Sequence, residues 1–274
     1  MKKKMLVLVI AFALVLSVTA LVGCGTEEAA TTGSTGVSSD IQKIKDAGVL
    51  KVGVKVDVPN FGYKDPKTNK IDGFEIDLAR QLAKRILGDE SKIQLEPVTA
   101  KTRGPLLDNG QLDVVIATFT IKPDRLLQWN FSDGYYTDEV GILVKKNSGI
   151  AGLKDLNGKK VGVAQGATTK DAIEAEIATQ KLSIKPNYLE FASYPEINAA
   201  LESGRIDAFS VDKSILTGYL SSDKVILAEG FAPQEYGIAT KKGNDGITEE
   251  CNTMLKEMTA NGEMATLLKK WNLN

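Results

Sequence analysis

The sequence predicts an α/β protein built of two lobes of similar construction. One sign is the joint at residues 114–125, where a β-branched, apolar strand runs into a Pro-Asp-Arg helix start. A second joint, at residues 161–171, leads from a strand through a glycine turn to threonines that can cap a helix. The third sign is an internal repeat, because residues 107–114 and 201–208 both predict a helix end, a glycine stop and an acid-led strand. Each lobe should therefore turn one strand end and one helix start towards a common ligand.

The N-terminal segment is typical of an exported lipoprotein. Three lysines precede an apolar run that ends in Leu-Val-Gly before Cys24. This ending resembles the lipobox of bacterial lipoproteins, which implies cleavage of residues 1–23 as a signal peptide and a lipid on Cys24. An uncleaved membrane anchor is the alternative, since an apolar run of this length could span a bilayer. Residues 24–40 are rich in Thr, Ser, Gly and Ala, so they predict a flexible tether between lipid and folded body.

The composition excludes several classes of function. With 43% hydrophobic and 25% charged residues the chain is typical of globular proteins. Its net charge of −1 becomes more negative when the N-terminal lysines are removed, so we expect no nucleic-acid partner. The chain has no histidine, which excludes Ser-His-Asp and Cys-His catalysis and removes the commonest metal ligand. We expect no metal, no cofactor and a monomer, and with Cys24 lipidated Cys251 has no disulfide partner.

The first elements of the folded body are predicted to bring Lys55 to a strand end. Residues 41–49 predict a short helix and residues 50–56 a strand, at whose C-terminal end Lys55 lies. Open α/β sheets bind ligands there, although a solvated surface charge explains one lysine equally simply. Phe61, in the loop that follows, is expected to contribute an apolar wall. Residues 73–86 then carry apolar side chains at helical spacing, with acids in the first turn and bases in the last.

Three polar residues at the next strand ends are candidates for holding a small anion. Arg103 lies near a helix start, where the helix dipole disfavours a cation, so an anion is expected nearby; a surface ion pair is the alternative. The joint at residues 114–125 offers the Thr120 hydroxyl, free backbone N–H groups and the Arg125 guanidinium, a set that suits a carboxylate. Taken alone, such a joint with an arginine nearby occurs in many α/β proteins.

The second half of the chain repeats this construction. Residues 141–144 predict the first strand of the second lobe, and residues 206–211 predict a later strand that ends at Asp212. An aspartate there either caps the following helix or faces the ligand. Residues 231–237 are expected to return the chain to the first lobe, and residues 246–274 predict terminal helices.

Residues 73–86 match, position by position, the signature of the bacterial extracellular solute-binding proteins of family 3, which serve ABC transporters for polar amino acids. The resemblance extends over residues 41–271 in several separated motifs. It implies the type II periplasmic-binding-protein-like fold, with two discontinuous α/β lobes around five-stranded sheets, joined by two crossover hinge strands. Lobe 1 would comprise residues 41–134 and 237–274, lobe 2 residues 141–231, and the crossings residues 135–140 and 232–236.

The resemblance also implies how the α-amino acid would be held. Arg125 would bind the ligand α-carboxylate bidentately, with help from the backbone N–H groups of Thr120 and Thr168. Asp212 would bind the α-ammonium, together with the Thr120 hydroxyl. Backbone carbonyls at the end of the same strand would assist, namely those of Ala117 or Thr118. Such a set suits a zwitterion, because a charge left buried without its partner is costly.

The ligand side chain is expected to be acidic. In glutamine-binding relatives the position that matches Lys55 resembles an aspartate, whereas here it is a cation. Lys55 and Arg103 would place two like charges at the end of the side chain, and such a pair is unfavourable until an anion lies between them. The segments Lys-Val-Gly-Val-Lys and Thr-Ala-Lys-Thr-Arg resemble the acidic-amino-acid branch of the family. Three further residues are candidates for contacts with the side chain: Thr169, Tyr236 and Phe61.

The family resemblance predicts an extracytoplasmic receptor, lipid-anchored to the cell membrane at the cell surface or in the periplasm. It would bind glutamate or aspartate in the cleft, close on it and deliver it to an ABC transporter permease. One alternative is a binding protein for glutamine or another polar amino acid. A dehydratase-like enzyme on the same fold is a second alternative, and a sensor ectodomain is a third.

Overall fold

The computed structural model describes residues 37–273. The predicted signal peptide, the lipidation site Cys24 and most of the predicted tether lie outside the described residues. None of the helices within residues 37–273 is long and apolar enough to cross a membrane.

The described residues alternate helices and strands in the manner expected of an α/β protein. The helices are α1 (Ser39–Ala47), α2 (Phe74–Leu87), α3 (Arg103–Asp108), α4 (Pro123–Leu126), α5 (Thr169–Thr179), α6 (Tyr194–Glu202), α7 (Lys213–Thr217), α8 (Asp245–Ala260) and α9 (Glu263–Lys270), with a 3₁₀ turn at Leu153–Leu156. The strands are β1 (Leu50–Val54), β2 (Asp57–Val58), β3 (Gly62–Lys64), β4 (Ile71–Asp72), β5 (Ile93–Pro97), β6 (Val114–Ile116), β7 (Trp129–Phe131), β8 (Tyr136–Lys145), β9 (Lys160–Ala164), β10 (Asn187–Phe191), β11 (Ala208–Asp212), β12 (Lys224–Ile226), β13 (Phe231–Tyr236) and β14 (Ala239–Lys241).

Helix α1 begins earlier than the sequence predicts. It starts at Ser39, inside the stretch 24–40 that we expected to be a tether, so the end of that prediction is wrong. The physical reason is Asp40, whose carboxylate accepts hydrogen bonds from the backbone N–H groups of Ile41 at 3.0 Å and of Ile247 at 2.9 Å. Ile247 lies in the first turn of α8, so this carboxylate fixes the start of the folded body against the C-terminal helices.

The first sheet has the strand order β5-β1-β6-β14-β7. Strands β5, β1 and β6 are parallel, with Val54 of β1 opposite Ile116 of β6, whereas β14 runs antiparallel to its two neighbours. The parallel register brings the C-terminal ends of β1 and β6 side by side. Lys55 and Ala117, which directly follow these strands, therefore leave the sheet at the same edge.

Helix α2 covers this sheet, as its apolar spacing predicts. Its inward face is fully buried, and it begins immediately after Gly73. Gly73 has a φ of 150°, and a Cβ atom there would lie 2.0 Å from the carbonyl oxygen of Phe61. Only glycine fits such a position, so the loop that carries Phe61 is held against the start of α2.

The second sheet has the order β10-β9-β11-β8-β12, and β13 pairs with β8 outside this row. It has six strands, one more than the family resemblance implies, because β13 extends along β8. Strand β9 is parallel to both β10 and β11, and β8 runs antiparallel to β11. Asp212, the last residue of β11, lies opposite Val140 of β8.

Strands β8 and β13 form an antiparallel ladder that leads from one sheet to the other. Tyr136 pairs with Tyr236, and Phe231 with Val140. A bridge between Thr120 and Tyr236 ties the ladder to the first sheet, and the C-terminal half of β8 belongs to the second. The segments predicted to be crossings, residues 135–140 and 232–236, are thus paired with one another.

Candidate functional site

Arg125 reaches from the first lobe to the second. It lies on α4, whose first residue is a proline that the first helical position tolerates well. Its guanidinium donates from Nη1 to the carbonyl of Thr120 at 2.8 Å and from Nη2 to the carbonyl of Gly166 at 3.2 Å. Gly166 lies in the glycine turn of the second lobe, so one side chain contacts both joints that the sequence singles out. Burial, followed by the charge of Arg103, lowers the pKa of Arg125 to about 9.

Thr120 and Thr168 converge on Gln234, a residue that sequence reasoning missed. The Thr120 hydroxyl donates to Gln234 Oε1 at 3.0 Å, and the Thr168 hydroxyl donates to the same oxygen at 2.7 Å. Gln234 is buried on β13, and its own amide donates to the carbonyl of Ala232 at 2.7 Å. One carboxamide therefore connects a hydroxyl of each lobe to the strand that joins them. A lone glutamine in a strand gives no sequence signal of such a role.

Asp212 does not cap the helix that follows it. Its side chain makes no capping hydrogen bond to α7 and instead accepts a hydrogen bond from the hydroxyl of Tyr236. Burial, followed by the charge of Asp138, raises the pKa of Asp212 to about 7. Of the two interpretations that the sequence left open, the capping one is thus wrong for this side chain. Tyr236, predicted as a contact for the ligand side chain, is directed here towards the aspartate.

Lys55 is not a lone cation. It is almost fully buried, and its Nζ lies 2.9 Å from Oδ1 of Asp57 and 4.4 Å from the ring centre of Tyr194. Burial lowers the pKa of Lys55, and the charge of Asp57 opposes that change. The prediction of two unpaired cations waiting for an anion is therefore wrong for Lys55, because a carboxylate two residues away already compensates it.

Arg103 is held by backbone carbonyls. Its Nη1 donates to the carbonyls of Ala117 at 2.6 Å and Thr118 at 3.0 Å, and its guanidinium carbon lies 4.0 Å from the ring centre of Phe119. The family resemblance assigns these two carbonyls to the ligand ammonium, whereas in the structure they accept from Arg103. Burial lowers the pKa of Arg103.

Glu75 is a fully buried carboxylate whose charge interacts with those of Arg103 and Lys55. Its Oε1 accepts from the backbone N–H of Thr118 at 2.6 Å and from the hydroxyl of Tyr135 at 2.5 Å. Burial raises the pKa of Glu75 to about 7, and the charges of Arg103 and Lys55 oppose that rise. Sequence reasoning saw this residue only as a favourable acid in the first turn of α2.

The backbone between these groups is strained. Thr118 has a φ of 45°, in the left-handed region that residues other than glycine seldom adopt. Its N–H is fixed by Glu75 and its carbonyl by Arg103, so the strain is held from both sides. Such strain concentrates at ligand sites, where the surroundings determine the backbone.

Several buried polar atoms lack a hydrogen-bond partner among residues 37–273. An unsatisfied group of this kind costs about 1–3 kcal/mol, so each calls for a partner from outside the chain. Four of the six such atoms belong to Thr118, to the two side chains that fix its backbone, and to the first residue of α5: Thr118 Oγ1, Glu75 Oε2, Arg103 Nε and Thr169 Oγ1.

Phe61 belongs to an aromatic group at the base of the crossing strands. Its ring centre lies 5.1 Å from that of Tyr136 and 6.0 Å from that of Tyr236, both in edge contacts. Phe61 is fully buried, so it supports the crossing strands beneath Tyr236.

The described residues hold no group of three or more His, Cys, Asp or Glu side chains suited to a metal ion. Burial raises the pKa of the Cys251 thiol, which makes it a poor nucleophile.

Comparisons with known proteins agree with this architecture. The sequence profile of the family described as bacterial extracellular solute-binding proteins, family 3, matches residues 50–274. The chain is 42% identical over 238 residues to the glutamine-binding protein of Geobacillus stearothermophilus, covering 83% of this chain and 88% of that one. It is 38% identical to the ABC transporter glutamine-binding protein GlnH of Bacillus subtilis (strain 168), covering 97% and 95%.

A solved structure shares the fold. An ancestral arginine-binding protein bound to glutamine superposes with a TM-score of 0.73 at 36% identity, over 83% of this chain and 99% of that chain. The predicted type II periplasmic-binding-protein fold is therefore confirmed.

Proposed function

The chain belongs to the bacterial extracellular solute-binding proteins, family 3, as an amino-acid-binding protein of an ABC transporter, and from this premise we propose that its ligand is L-glutamine. The observation that carries the proposal is the charge balance at the side-chain end of the site. Two cations, Lys55 and Arg103, are balanced there by two carboxylates: Asp57 pairs with Lys55, and the charges of Arg103 and Lys55 both act on Glu75. A neutral side chain leaves that balance undisturbed, whereas a carboxylate adds a third anion.

The unsatisfied atoms support an amide in particular. Within the described residues Glu75 Oε2 is an acceptor without a donor, and Arg103 Nε is a donor without an acceptor. A carboxamide supplies one of each, whereas an ionised carboxylate supplies acceptors only. Sites built to hydrogen-bond a particular group reject analogues that lack it, because their own buried groups are then left unpaired.

The α-amino-acid end supports a zwitterion. Among the described residues Arg125 has no carboxylate at ion-pair distance, and its bonds go to backbone carbonyls of both lobes. Within residues 37–273 the Asp212 carboxylate has only the Tyr236 hydroxyl as a hydrogen-bond partner. We assign the ligand α-carboxylate to Arg125 with the Thr120 and Thr168 groups, and the α-ammonium to Asp212. Each buried charge then gains a partner of opposite sign.

The function is a ligand-driven closure. Arg125 and Gln234 join groups of both lobes, so these contacts form together only when the lobes are close. A ligand that engages both lobes shifts the population towards this arrangement. We propose that the permease recognises the closed form, that the protein acts as a monomer outside the cytoplasm, and that a lipid on Cys24 anchors it.

An acidic ligand is the second candidate, and one observation favours it. Arg103 has no carboxylate at ion-pair distance among residues 37–273, and Glu75, with a pKa of about 7, loses its charge as the pH falls. Below neutral pH the side-chain end therefore becomes net positive. Glutamate binding should then strengthen relative to glutamine binding as the pH falls from about 8 to about 6.

Isothermal titration with glutamine, glutamate, aspartate and arginine tests the proposal. At pH 7.5 we expect glutamine to bind at least about tenfold more tightly than glutamate, a difference of about 1.4 kcal/mol. A preference for glutamate or aspartate would contradict it and restore the acidic ligand. If none of the four binds, the dehydratase-like alternative gains weight, and proton NMR of a candidate substrate over time would show turnover.

A further inference from the structure

Two carboxylates from different strands share one phenol at the base of the crossing strands. The Tyr236 hydroxyl donates to Oδ2 of Asp212. The oxygen of this hydroxyl also lies 3.3 Å from Oδ2 of Asp138. A phenol carries one hydrogen, so it cannot satisfy two ionised carboxylates at once. The two carboxylates therefore compete for the hydrogen of Tyr236, and a proton on either of them removes the competition.

The two carboxylates, Asp138 and Asp212, differ in their exposure to solvent. Asp138 is half-buried and lines a surface cavity of about 360 Å³ together with Tyr136, Lys213 and Ser214. Burial raises the pKa of Asp138, and the backbone N–H of Ser214, at 3.1 Å, and the Ser214 hydroxyl oppose that rise because both donate to Oδ2 of Asp138. Asp212 is buried and does not line this cavity.

We propose that Asp138 is a positioning residue that couples amino-acid binding at Asp212 to proton release, through the Tyr236 hydroxyl that contacts both carboxylates. The inference rests on the proposed role of Asp212 in holding the ligand α-ammonium. In the ligand-free protein the anion of Asp138 keeps a proton on Asp212. The arriving ammonium makes the ionised form of Asp212 the more stable one.

The proton has a continuous path out of the site. When Asp212 is protonated, its O–H donates to the phenol oxygen of Tyr236, and the phenol hydrogen turns towards Asp138. Asp212 then transfers its proton to the phenol oxygen while the phenol transfers its own hydrogen to Asp138, and Asp138 loses it to water in the cavity. One O–H bond breaks and one forms at each step, and the products are a carboxylate–ammonium pair and a solvated proton. No other reactant takes part.

The charged groups around Asp212 determine whether its protonated or its ionised form is favoured. Arg103 of α3 and Arg125 of α4 favour the ionised carboxylate, whereas burial and Asp138 of β8 favour the protonated one. Tyr194 of α6 and Tyr236 of β13 complete the surroundings, and burial raises the pKa of each phenol above its usual value, so both stay neutral. The pKa of Asp212, about 7, places the release of its proton on ligand binding near neutral pH.

Calorimetry in buffers of different ionisation enthalpy tests the coupling. The purified protein is titrated with L-glutamine at pH 6.5, and the slope of the observed enthalpy against the buffer enthalpy gives the protons released. We expect roughly three quarters of a proton per ligand. Asp138→Asn should reduce that number by half or more, because Asp212 then ionises at lower pH. Asp138→Glu, which keeps the charge, should retain most of the release.

Glu139→Gln is the matched control, since it removes one negative charge from the adjacent residue, whose carboxylate pairs with Lys213. It should leave the proton count unchanged. Binding without proton release in the wild type, or an unchanged count in Asp138→Asn, would overturn the coupling while leaving the proposed function intact. If none of glutamine, glutamate, aspartate and arginine binds, the proposed function and the coupling both fail.

A second measurement covers the case in which Asp138→Asn does not fold. Carboxyl carbon NMR of the wild type follows the titration of Asp212 directly, with and without glutamine. We expect a midpoint near neutral pH that moves down by at least about two pH units when glutamine is bound. A ligand-free midpoint near 4, the ordinary range of an aspartate, would overturn the inference.

Discussion

The two ends of the proposed ligand site both contain cations and carboxylates, but these groups are paired differently. At the α-amino-acid end, Arg125 and Asp212 come from different lobes, and their hydrogen bonds go to neutral groups. At the side-chain end, Lys55 is already paired with Asp57. The first end therefore retains two opposite charges for a zwitterion, whereas one of the two cations at the second end is already compensated by an internal carboxylate.

The number of charges near a site therefore does not predict which ligand charge the site prefers. Two cations at the side-chain end suggest an acidic ligand when they are considered alone. The carboxylates beside these cations determine which ligand charge is preferred. A cation that is already paired with a carboxylate can still donate hydrogen bonds to the ligand, but it exerts little net attraction on a ligand anion. The two ends can be separated by mutation, since their charged groups are different residues.

The largest effect is expected at the α-amino-acid end. Arg125→Ala should weaken glutamine binding about a thousandfold, because a ligand carboxylate left buried without its cation costs about 4 kcal/mol. Isothermal titration measures the loss, and all amino acids should lose affinity alike. Arg125 lies over the ring of Phe119, 4.7 Å from its centre, and Arg205 lies in the same way over Phe191, at 5.3 Å, so Arg205→Ala is the matched control and should leave affinity unchanged. Retention of binding in Arg125→Ala would contradict the assignment.

An intermediate effect is expected at the side-chain end. Asp57→Asn removes the anion that compensates Lys55, so the freed cation should favour an acidic side chain. The ratio of glutamate to glutamine affinity should rise by roughly tenfold, which corresponds to about 1.4 kcal/mol. Competition titration with the two amino acids gives the ratio.

Asp72→Asn is the control for this change, because that aspartate pairs with Arg80 at the exposed surface. It should leave the ratio as it is in the wild type. An unchanged ratio in Asp57→Asn would mean that Lys55 does not face the ligand side chain.

The smallest effect is expected where the two lobes meet. Gln234→Leu removes the oxygen that accepts from Thr120 and Thr168, and loss of such hydrogen bonds costs about 1 kcal/mol. Affinity for glutamine should fall roughly fivefold without a change in the glutamate-to-glutamine ratio. Small-angle scattering should show a smaller fraction of the closed form at subsaturating ligand. The exposed Gln94→Leu serves as a control, and equal affinities in the two variants would show that Gln234 does not join the lobes.

The sequence predicts the elements well where one local pattern determines them. The apolar spacing of α2 and the strand ends at residues 114–116 and 208–212 are present where expected, because periodicity and glycine stops act over a few residues. The start of α1 was placed too late, since Asp40 stabilises it through a hydrogen bond to Ile247 far along the chain. Long-range contacts of this kind leave no local pattern.

The residues of the candidate site also divide into those that a local pattern indicates and those that depend on long-range contacts. Arg125 and Asp212 lie at predicted strand or helix ends that the family resemblance matches, so sequence reasoning could select them as candidates. Glu75, Asp57 and Gln234 escaped notice because an acid in a first helical turn, an acid in a loop and a glutamine in a strand are ordinary there. Their roles depend on which side chains the fold places opposite them.

We propose that the side-chain end of the site receives a carboxamide. A crystal structure of the protein grown with L-glutamine tests it most directly. We predict the ligand α-carboxylate on Arg125, the α-ammonium on Asp212, and the carboxamide within hydrogen-bond distance of Glu75 Oε2 and Arg103 Nε. A ligand bound in the reverse orientation, or a carboxamide that contacts neither of those two atoms, would contradict the account.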